Sequence, residues 1–215
     1  MSRKGLTAKN LFDKRPYKRV ELQNPYFRQS IGAAEERGIW LIYGPEKNGK
    51  TWLTLQLADD LSTSSIRKLA YISAEEGTDD SFREACNRAG ITTGTRITFY
   101  PYMPVDEIVE MFSKPRTSDI IFIDNLLVYQ DELKGLALRR LSEALPNKLL
   151  VCVAHEERKK PYPASAQTAK KLAKVIINVK GLKAFIVSRF APQGGEIIIN
   201  DDMSEMYWGT VNNEL

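Results

Sequence analysis

Cysteine and histidine are scarce in this chain, with two cysteines and a single histidine, His155, among 215 residues. Cys86 falls in a helical pattern and Cys152 inside the apolar run Leu149-Leu150-Val151-Cys152-Val153-Ala154. That supply excludes a disulfide framework or a cysteine metal site, and both thiols read as small core residues of a reducing compartment. No apolar run reaches the roughly 18–20 residues that a bilayer-spanning helix needs. The opening Met1-Ser2-Arg3-Lys4-Gly5 is followed by polar residues, without a signal-peptide core, so the expectation is a cytoplasmic protein with no membrane attachment. Internal repeats and low-complexity tracts are absent as well. A net charge of +4 is mild, permitting a polyanionic partner without demanding one. Hydrophobic residues at 43% and charged residues at 27% are ordinary, so length and composition point to one globular domain with a full-sized core.

What is present is concentrated in Gly44-Pro45-Glu46-Lys47-Asn48-Gly49-Lys50-Thr51. This G-x-x-x-x-G-K-T run follows the apolar Gly38-Ile39-Trp40-Leu41-Ile42-Tyr43 and leads into the helical Trp52-Leu53-Thr54-Leu55. Strand, loop and helix in that order are the context in which the phosphate-loop motif carries weight. Its glycines let successive N–H groups turn inward on a phosphate, and the helix beginning there adds its positive dipole end. Lys50 would reach the β- and γ-phosphates and the Thr51 hydroxyl would hold Mg²⁺, with residues 44–52 forming the nucleotide-binding stretch through Trp52. The competing reading is a glycine turn ahead of an ordinary helix.

Around the motif the pattern alternates. Helices are expected at residues 27–37, from the loop to about 61 (ending at Ser62-Thr63-Ser64-Ser65), and at 79–89, 105–112 and 132–145. Strands are expected at 38–43, 68–73, 96–100, 119–124 and 148–154. That order predicts an α/β fold with a mainly parallel sheet covered by helices. Residues 175–179, 184–188 and 196–200 are separated by turns too short for crossover helices, predicting a C-terminal antiparallel extension at one sheet edge. Residues 1–20 carry Arg3, Lys4, Lys9, Lys14, Arg15, Lys18 and Arg19 against Asp13 alone, and contain Pro16. Residues 1–24 therefore read as a basic arm ahead of a domain at 25–215, either touching nucleic acid or a neighbouring subunit or simply solvated.

Asp124 closes four apolar residues, where an acid at the end of a strand beside the phosphate-loop strand would orient the Mg²⁺ water shell. Asn125 follows it, so the Asp-Glu pair of many ATPase machines is missing and the water-activating base must lie elsewhere. Glu75 in Ser73-Ala74-Glu75-Glu76-Gly77, directly after the second strand, is the candidate. The alternative is that Glu75 and Glu76 only favour the start of the next helix through its dipole. His155, at the end of the strand 149–154, reads either as a γ-phosphate sensor or as a structural hydrogen-bonding residue.

Tyr71-Ile72-Ser73-Ala74-Glu75-Glu76, the Ala89-Gly90-Ile91 helix ending, Ile123-Asp124 and Val153-Ala154-His155 together resemble the RecA-like P-loop NTPase core. Within it they are most similar to the branch of bacterial RadA and the DnaB-type helicases, over roughly residues 35–205. The resemblance implies ATP hydrolysis with Glu75 polarising water and His155 sensing the γ-phosphate. Ser188-Arg189-Phe190 with Pro192 and Gly194 is similar to the RadA Lys-Asn-Arg-Phe-Gly motif, which implies that Arg189 reaches a neighbouring subunit's nucleotide. Val187 stands where that motif has its lysine and Ala191 where it has glycine. The RadA zinc module and protease-like domain and the DnaB N-terminal domain have no counterpart in the sequence, so the expectation is a bare core with a basic arm. In that family DNA is met by loops after the two central strands. Here the second is Glu156-Glu157-Arg158-Lys159-Lys160-Pro161-Tyr162-Pro163, continuing to Lys171, in which Arg158, Lys159 and Lys160 near a tyrosine suit phosphate contact and base stacking. A solvated surface loop is the competing reading.

The sequence thus points to an ATP- and Mg²⁺-dependent hydrolase acting on DNA, single-stranded in the first instance, as a head-to-tail homo-oligomer. A nucleotide-switched scaffold ATPase without nucleic acid is the alternative. A small-molecule kinase is disfavoured by the lack of an arginine-rich lid between the later strands.

Overall fold

Segments that are apolar at every position are buried on both faces, and they form the centre of a nine-stranded sheet. The computed structural model describes residues 5–64 and 68–209. The chain runs α1 (Ala8–Phe12), α2 (Pro25–Ile31), β1 (Gly38–Gly44), α3 (Lys50–Ser64), β2 (Leu69–Ser73), α4 (Asp80–Arg88), β3 (Ile97–Tyr100), α5 (Val105–Ser113) and β4 (Ile120–Asp124). It continues through α6 (Ala137–Ala144), β5 (Leu149–Glu157), β6 (Lys160–Tyr162), α7 (Ala164–Leu172), β7 (Val175–Lys180), β8 (Lys183–Ser188), β9 (Gly195–Ile198) and α8 (Asp201–Gly209). Arg3 and Lys4 of the basic stretch, and Ser65 at the expected end of the first long helix, lie outside the described residues.

The spatial order is β3-β2-β4-β5-β1-β7-β8-β9, with β6 paired to β5 off this path. Strands β3, β2, β4, β5, β1 and β7 run parallel, while β8 and β9 fold back as hairpins. The hairpins are those the short turns foretold, but β7 is not antiparallel to the core. Helix α7 supplies a crossover that returns β7 parallel beside β1. Two cores result. Trp40 and Ile42 of β1 face the layer containing α3 and α4, and Ile39, Leu41 and Tyr43 face the layer of α5, α6 and α7.

Several boundaries differ from expectation, each for a local reason. The helix expected at 27–37 starts earlier, with Asn24 capping and Pro25 in the first turn, and ends at Ile31. Gly32 stops it at φ 73, where a Cβ would lie 2.5 Å from the Phe190 carbonyl oxygen. The helix expected at 132–145 begins only at Ala137, because Gly135 takes φ 60 and the chain before it coils to bury Tyr129 and Leu133. The basic stretch is laid on the body from Lys18, whose carbonyl accepts from Glu36 N–H, and Val20 and Leu22 enter the core. Helix α8 has no counterpart in the expectations. Its Trp208 Nε1–H donates to the Gly181 carbonyl at 3.0 Å, seating it on the turn between β7 and β8.

Candidate active site

The phosphate loop is shaped by two close approaches. A Cβ on Gly44 would lie 1.9 Å from the Val179 carbonyl oxygen, and one on Gly49 would lie 2.6 Å from Leu182 Cδ1 with φ already at +94. Neither position accepts a side chain without displacing β7 at Val179 or the β7–β8 turn at Leu182. Asn48 fastens the loop to that same turn: its Oδ1 accepts from Gly181 N–H at 2.7 Å, while its Nδ2–H donates to the Glu46 carbonyl at 2.7 Å. Pro45 and Glu46 open the loop, and Lys47 sits in the left-handed region at φ 57. Lys50 is buried at the start of α3, and its Nζ donates to the Pro45 carbonyl at 2.6 Å. Burial lowers the Lys50 pKa, opposed by the carboxylates of Asp124, Glu46, Glu75 and Glu156. Beside the loop opens a cavity of about 710 Å³ lined by Lys47, Lys50, Thr51, Trp52, Glu76 and Met203 among others, within the range of small-molecule sites.

Across the loop stand the C-terminal ends of the parallel strands. Gly44 pairs in register with His155, and Ser73 with Asp124. Asp124 is not on a strand beside β1, as expected, because β5 intervenes between β4 and β1. The buried Tyr71 hydroxyl donates to Asp124 Oδ2 at 2.5 Å. Burial pushes the Asp124 carboxyl up to about 6, and the nearby Glu76 and Glu75 charges push the same way, against the Tyr71 bond and Lys50.

Glu75 lies in the turn that follows β2, whereas α4 is capped by Asp79 and has Asp80 in its first turn. Glu75 and Glu76 are therefore not at the helix N-terminus, and the dipole explanation for them falls away. Glu75 is instead bonded to Asn125, whose buried side-chain amide donates to Glu75 Oε2. The same Nδ2 is 3.0 Å from His155 Nε2, and Asn125 Oδ1 accepts from Leu127 N–H at 2.8 Å. His155 Nε2 is 3.5 Å from Glu75 Oε2, and Nδ1 is 3.9 Å from Glu46 Oε1 in the phosphate loop. In the sequence Asn125 stands out only as the missing second acid. A buried amide at the sheet's functional edge is the signal available there. Tyr71, an apolar-looking strand residue, carries no such signal.

The remaining candidates lie apart. Arg158, Lys159 and Lys160 are exposed, but they do not sit in an open loop as expected. Strand β5 runs on to Glu157, Arg158 and Lys159 turn at φ 50 and 62, and β6 returns antiparallel with Glu157 paired to Lys160. Positive φ at both central residues is what a two-residue type I′ hairpin requires, normally of Asn and Gly. The rest of the expected loop is α7. Arg189 follows β8, and its N–H donates to the Lys174 carbonyl at the edge where the parallel strands begin. Since Ser188 pairs with Val175 and Lys183 with Lys180, Arg189 stands at the sheet end opposite the phosphate loop, about 16 Å along the strands.

Comparison of this arrangement with solved structures returns three instructive neighbours. A KaiC-like protein from Pyrococcus horikoshii has a TM-score of 0.59 at 17% identity over 81% of this chain and 88% of its own. The flagellar accessory protein FlaH from Methanocaldococcus jannaschii has 0.59 at 17% over 85% and 92%. A third neighbour, solved as an ATPase domain, has 0.53 at 13% over 75% and 80%. The fold is RecA-like. No protein-family model matches the sequence, and no curated protein matches it. Among the described residues no helix is long and apolar enough to cross a membrane.

Proposed function

We propose that this protein is a RecA-like ATP hydrolase acting on DNA in replication, recombination or repair, with Mg²⁺ and single-stranded DNA as its further ligands. The observation that supports the reading is that Lys50 feels the charges of Asp124 and Glu75 while His155 lies 3.5 Å from Glu75 and 3.9 Å from Glu46 of the phosphate loop. Thr51 and Asp124 would hold Mg²⁺, and that pair fits the ion's habit of taking one or two protein oxygens and completing its shell from phosphate and water. No cluster of three or more His, Cys, Asp or Glu suited to a metal occurs among the described residues. When bound, the ion would neutralise charge between the β- and γ-phosphates.

The chain's own groups do the rest. Backbone N–H groups of residues 46–51 cup the phosphates, Pro45 having none to give, and Lys50 exchanges its Pro45 carbonyl for them. Glu75 orients the attacking water and accepts its proton as the bond to the γ-phosphorus forms and the bond to the β–γ bridging oxygen breaks. Because Arg189 lies at the opposite sheet end, the guanidinium that completes the phosphate's far side comes from a second subunit. DNA would meet the Arg158, Lys159 and Lys160 hairpin, where Tyr162 offers an exposed ring.

Two of the three neighbours carry the names KaiC-like and flagellar accessory protein, which favours a second reading: a nucleotide-driven switch without nucleic acid. An ATPase assay with and without single-stranded DNA separates them. Stimulation by DNA supports the first reading. Steady turnover indifferent to DNA, with no salt-sensitive DNA binding, replaces it by the second. A third result, phosphoryl transfer to a metabolite without hydrolysis, would identify a kinase.

A further inference from the structure

The side-chain amide of Asn125 has a partner for its oxygen and for each of its two N–H groups. Its Oδ1 is the acceptor for Leu127 N–H at 2.8 Å, so its NH₂ group must face the other way. There it finds Glu75 Oε2, a carboxylate that can only accept, and His155 Nε2 at 3.0 Å. One amide hydrogen goes to each. A proton on Nε2 would set two donors against each other at 3.0 Å, and the 3.5 Å separation from Glu75 is too long to rescue it. The Nε2 lone pair therefore accepts, and the imidazole proton belongs on Nδ1. That nitrogen is buried and has no hydrogen-bond partner among the described residues, the nearest carboxylate oxygen being Glu46 Oε1 of the phosphate loop at 3.9 Å. An unpaired buried N–H is costly and is retained where a ligand completes it.

We propose that Asn125 is a positioning residue that holds His155 as a neutral Nδ1–H donor aimed at the phosphate loop while holding Glu75 by a second bond. The role rests on reading the cleft as a nucleotide-hydrolysing site, but the protonation pattern stands on the hydrogen bonds alone. In the resting site Asn125 ties the water-orienting carboxylate to the imidazole. A γ-phosphate oxygen accepting from Nδ1–H gives His155 its missing partner. The phosphate's arrival is thereby felt at Glu75 through one amide. A free histidine side chain favours the proton on Nε2, so the Nδ1–H form is a signature of Asn125.

Because His155 is the only histidine, one nitrogen-15 correlation spectrum of the labelled protein reads its tautomer without assignment variants. At about pH 8, where an ordinary histidine is neutral, the full-length protein should show a protonated Nδ1 and an unprotonated Nε2. Asn125→Asp offers Nε2 a carboxylate in place of an N–H and should move the proton to Nε2. Asn125→Ala, the second variant should the first not fold, should drift the same way. A non-hydrolysable ATP analogue should shift the Nδ1 proton resonance, and ADP should leave it in place. In turnover, both variants should lose about 10²-fold in kcat, the scale of one oriented donor, with KM changed only a few-fold. A wild-type spectrum with the proton on Nε2 overturns the proposal, as does an Asn125→Asp spectrum unchanged from wild type. An equal response to ADP and the ATP analogue overturns the γ-phosphate contact. A wild-type protein that shows the Nδ1–H form yet never hydrolyses ATP refutes the hydrolase reading instead.

Discussion

Lys50 is buried and Asp124 half-buried, and desolvation acts on them in opposite senses. Removing the Lys50 ammonium by Lys50→Ala takes away the cation facing the phosphates. A charge-assisted hydrogen bond contributes about 1.5–3 kcal/mol, so nucleotide affinity should fall roughly ten- to a hundredfold and ATP turnover should vanish. Fluorescent-nucleotide titration and phosphate release measure both, and wild-type turnover would sink the whole site assignment. Glu75→Gln should instead keep nucleotide binding and lose hydrolysis, and the same phenotype from Glu76→Gln alone would move the role to its neighbour. Asp124 makes the less familiar prediction. Its folded pKa of about 6 lies above the unfolded value of about 3.9, so between the two the native state holds more protons than the unfolded one. The group therefore supports the fold fully below about pH 4, and that support is lost as pH rises through about 6. Asp124→Asn abolishes the titration and should make the metal-free protein more stable than wild type at pH 7. The gain is at most about 3 kcal/mol, less because the carboxylate keeps one face toward the cleft. It should shrink toward zero near pH 4. Urea unfolding in a chelator at several pH values measures this, and an offset independent of pH would contradict it.

At the scale of elements, the basic hairpin separates fold from function cleanly. Two non-glycine residues at positive φ cost about 1–2 kcal/mol each, so Asn-Gly in place of Arg158 and Lys159 should keep β5 and β6 paired and raise stability by about 1 kcal/mol or more. Each single-strand phosphate neutralised contributes about −0.7 to the slope of log affinity against log salt. The replacement should flatten that slope by one to two such steps while basal turnover stays near wild type. An unchanged salt slope would move the DNA contact to the N-terminal stretch. The same hairpin shows where reading the sequence stops. Apolar runs such as Ile120-Ile121-Phe122-Ile123 leave no doubt about buried strands, and the loop motif announces itself by glycines that the packing against Val179 and Leu182 requires. Nothing in Arg158 and Lys159 signals a tight turn, because neither residue favours that conformation. The direction of β7 is hidden, since Val175 to Val179 read the same whether paired parallel or antiparallel. Helix α8 is hidden because what defines it is Trp208 resting on Gly181, a contact across 27 residues. Asn125 is legible as a residue but not as a bridge, since its partners come from the turn after β2 and from β5.

At the scale of the molecule, the proposed reading asks that the charges serving one phosphate site come from more than one chain. Phosphoryl transfer spreads negative charge over the γ-phosphate oxygens, and a guanidinium added there raises turnover by about 10³–10⁵ where such fingers are known. Lys50 covers one side of the phosphate, and Arg189 stands at the far end of the sheet, about 16 Å along the strands. If Arg189 serves a site at all, it serves a neighbour's. A two-fold dimer brings like surfaces together and would pair Arg189 edges with Arg189 edges. Only a head-to-tail contact sets one chain's Arg189 edge against the next chain's phosphate loop, and such contacts propagate into a ring or a filament. Turnover per subunit should therefore rise with protein concentration and saturate once the assembly is complete. Arg189→Ala should lower turnover by about 10³-fold or more with nucleotide binding little changed. A mixture of Arg189→Ala and Lys50→Ala subunits, each inactive alone, should regain activity, because the intact Lys50 site of the first meets the intact Arg189 of the second. At equal amounts in a random assembly, about a quarter of the contacts pair them correctly, which sets the ceiling for recovery. Turnover per subunit that is flat across dilution, together with a mixture that stays inactive, would remove Arg189 from the reaction and leave the head-to-tail contact without its chemical reason.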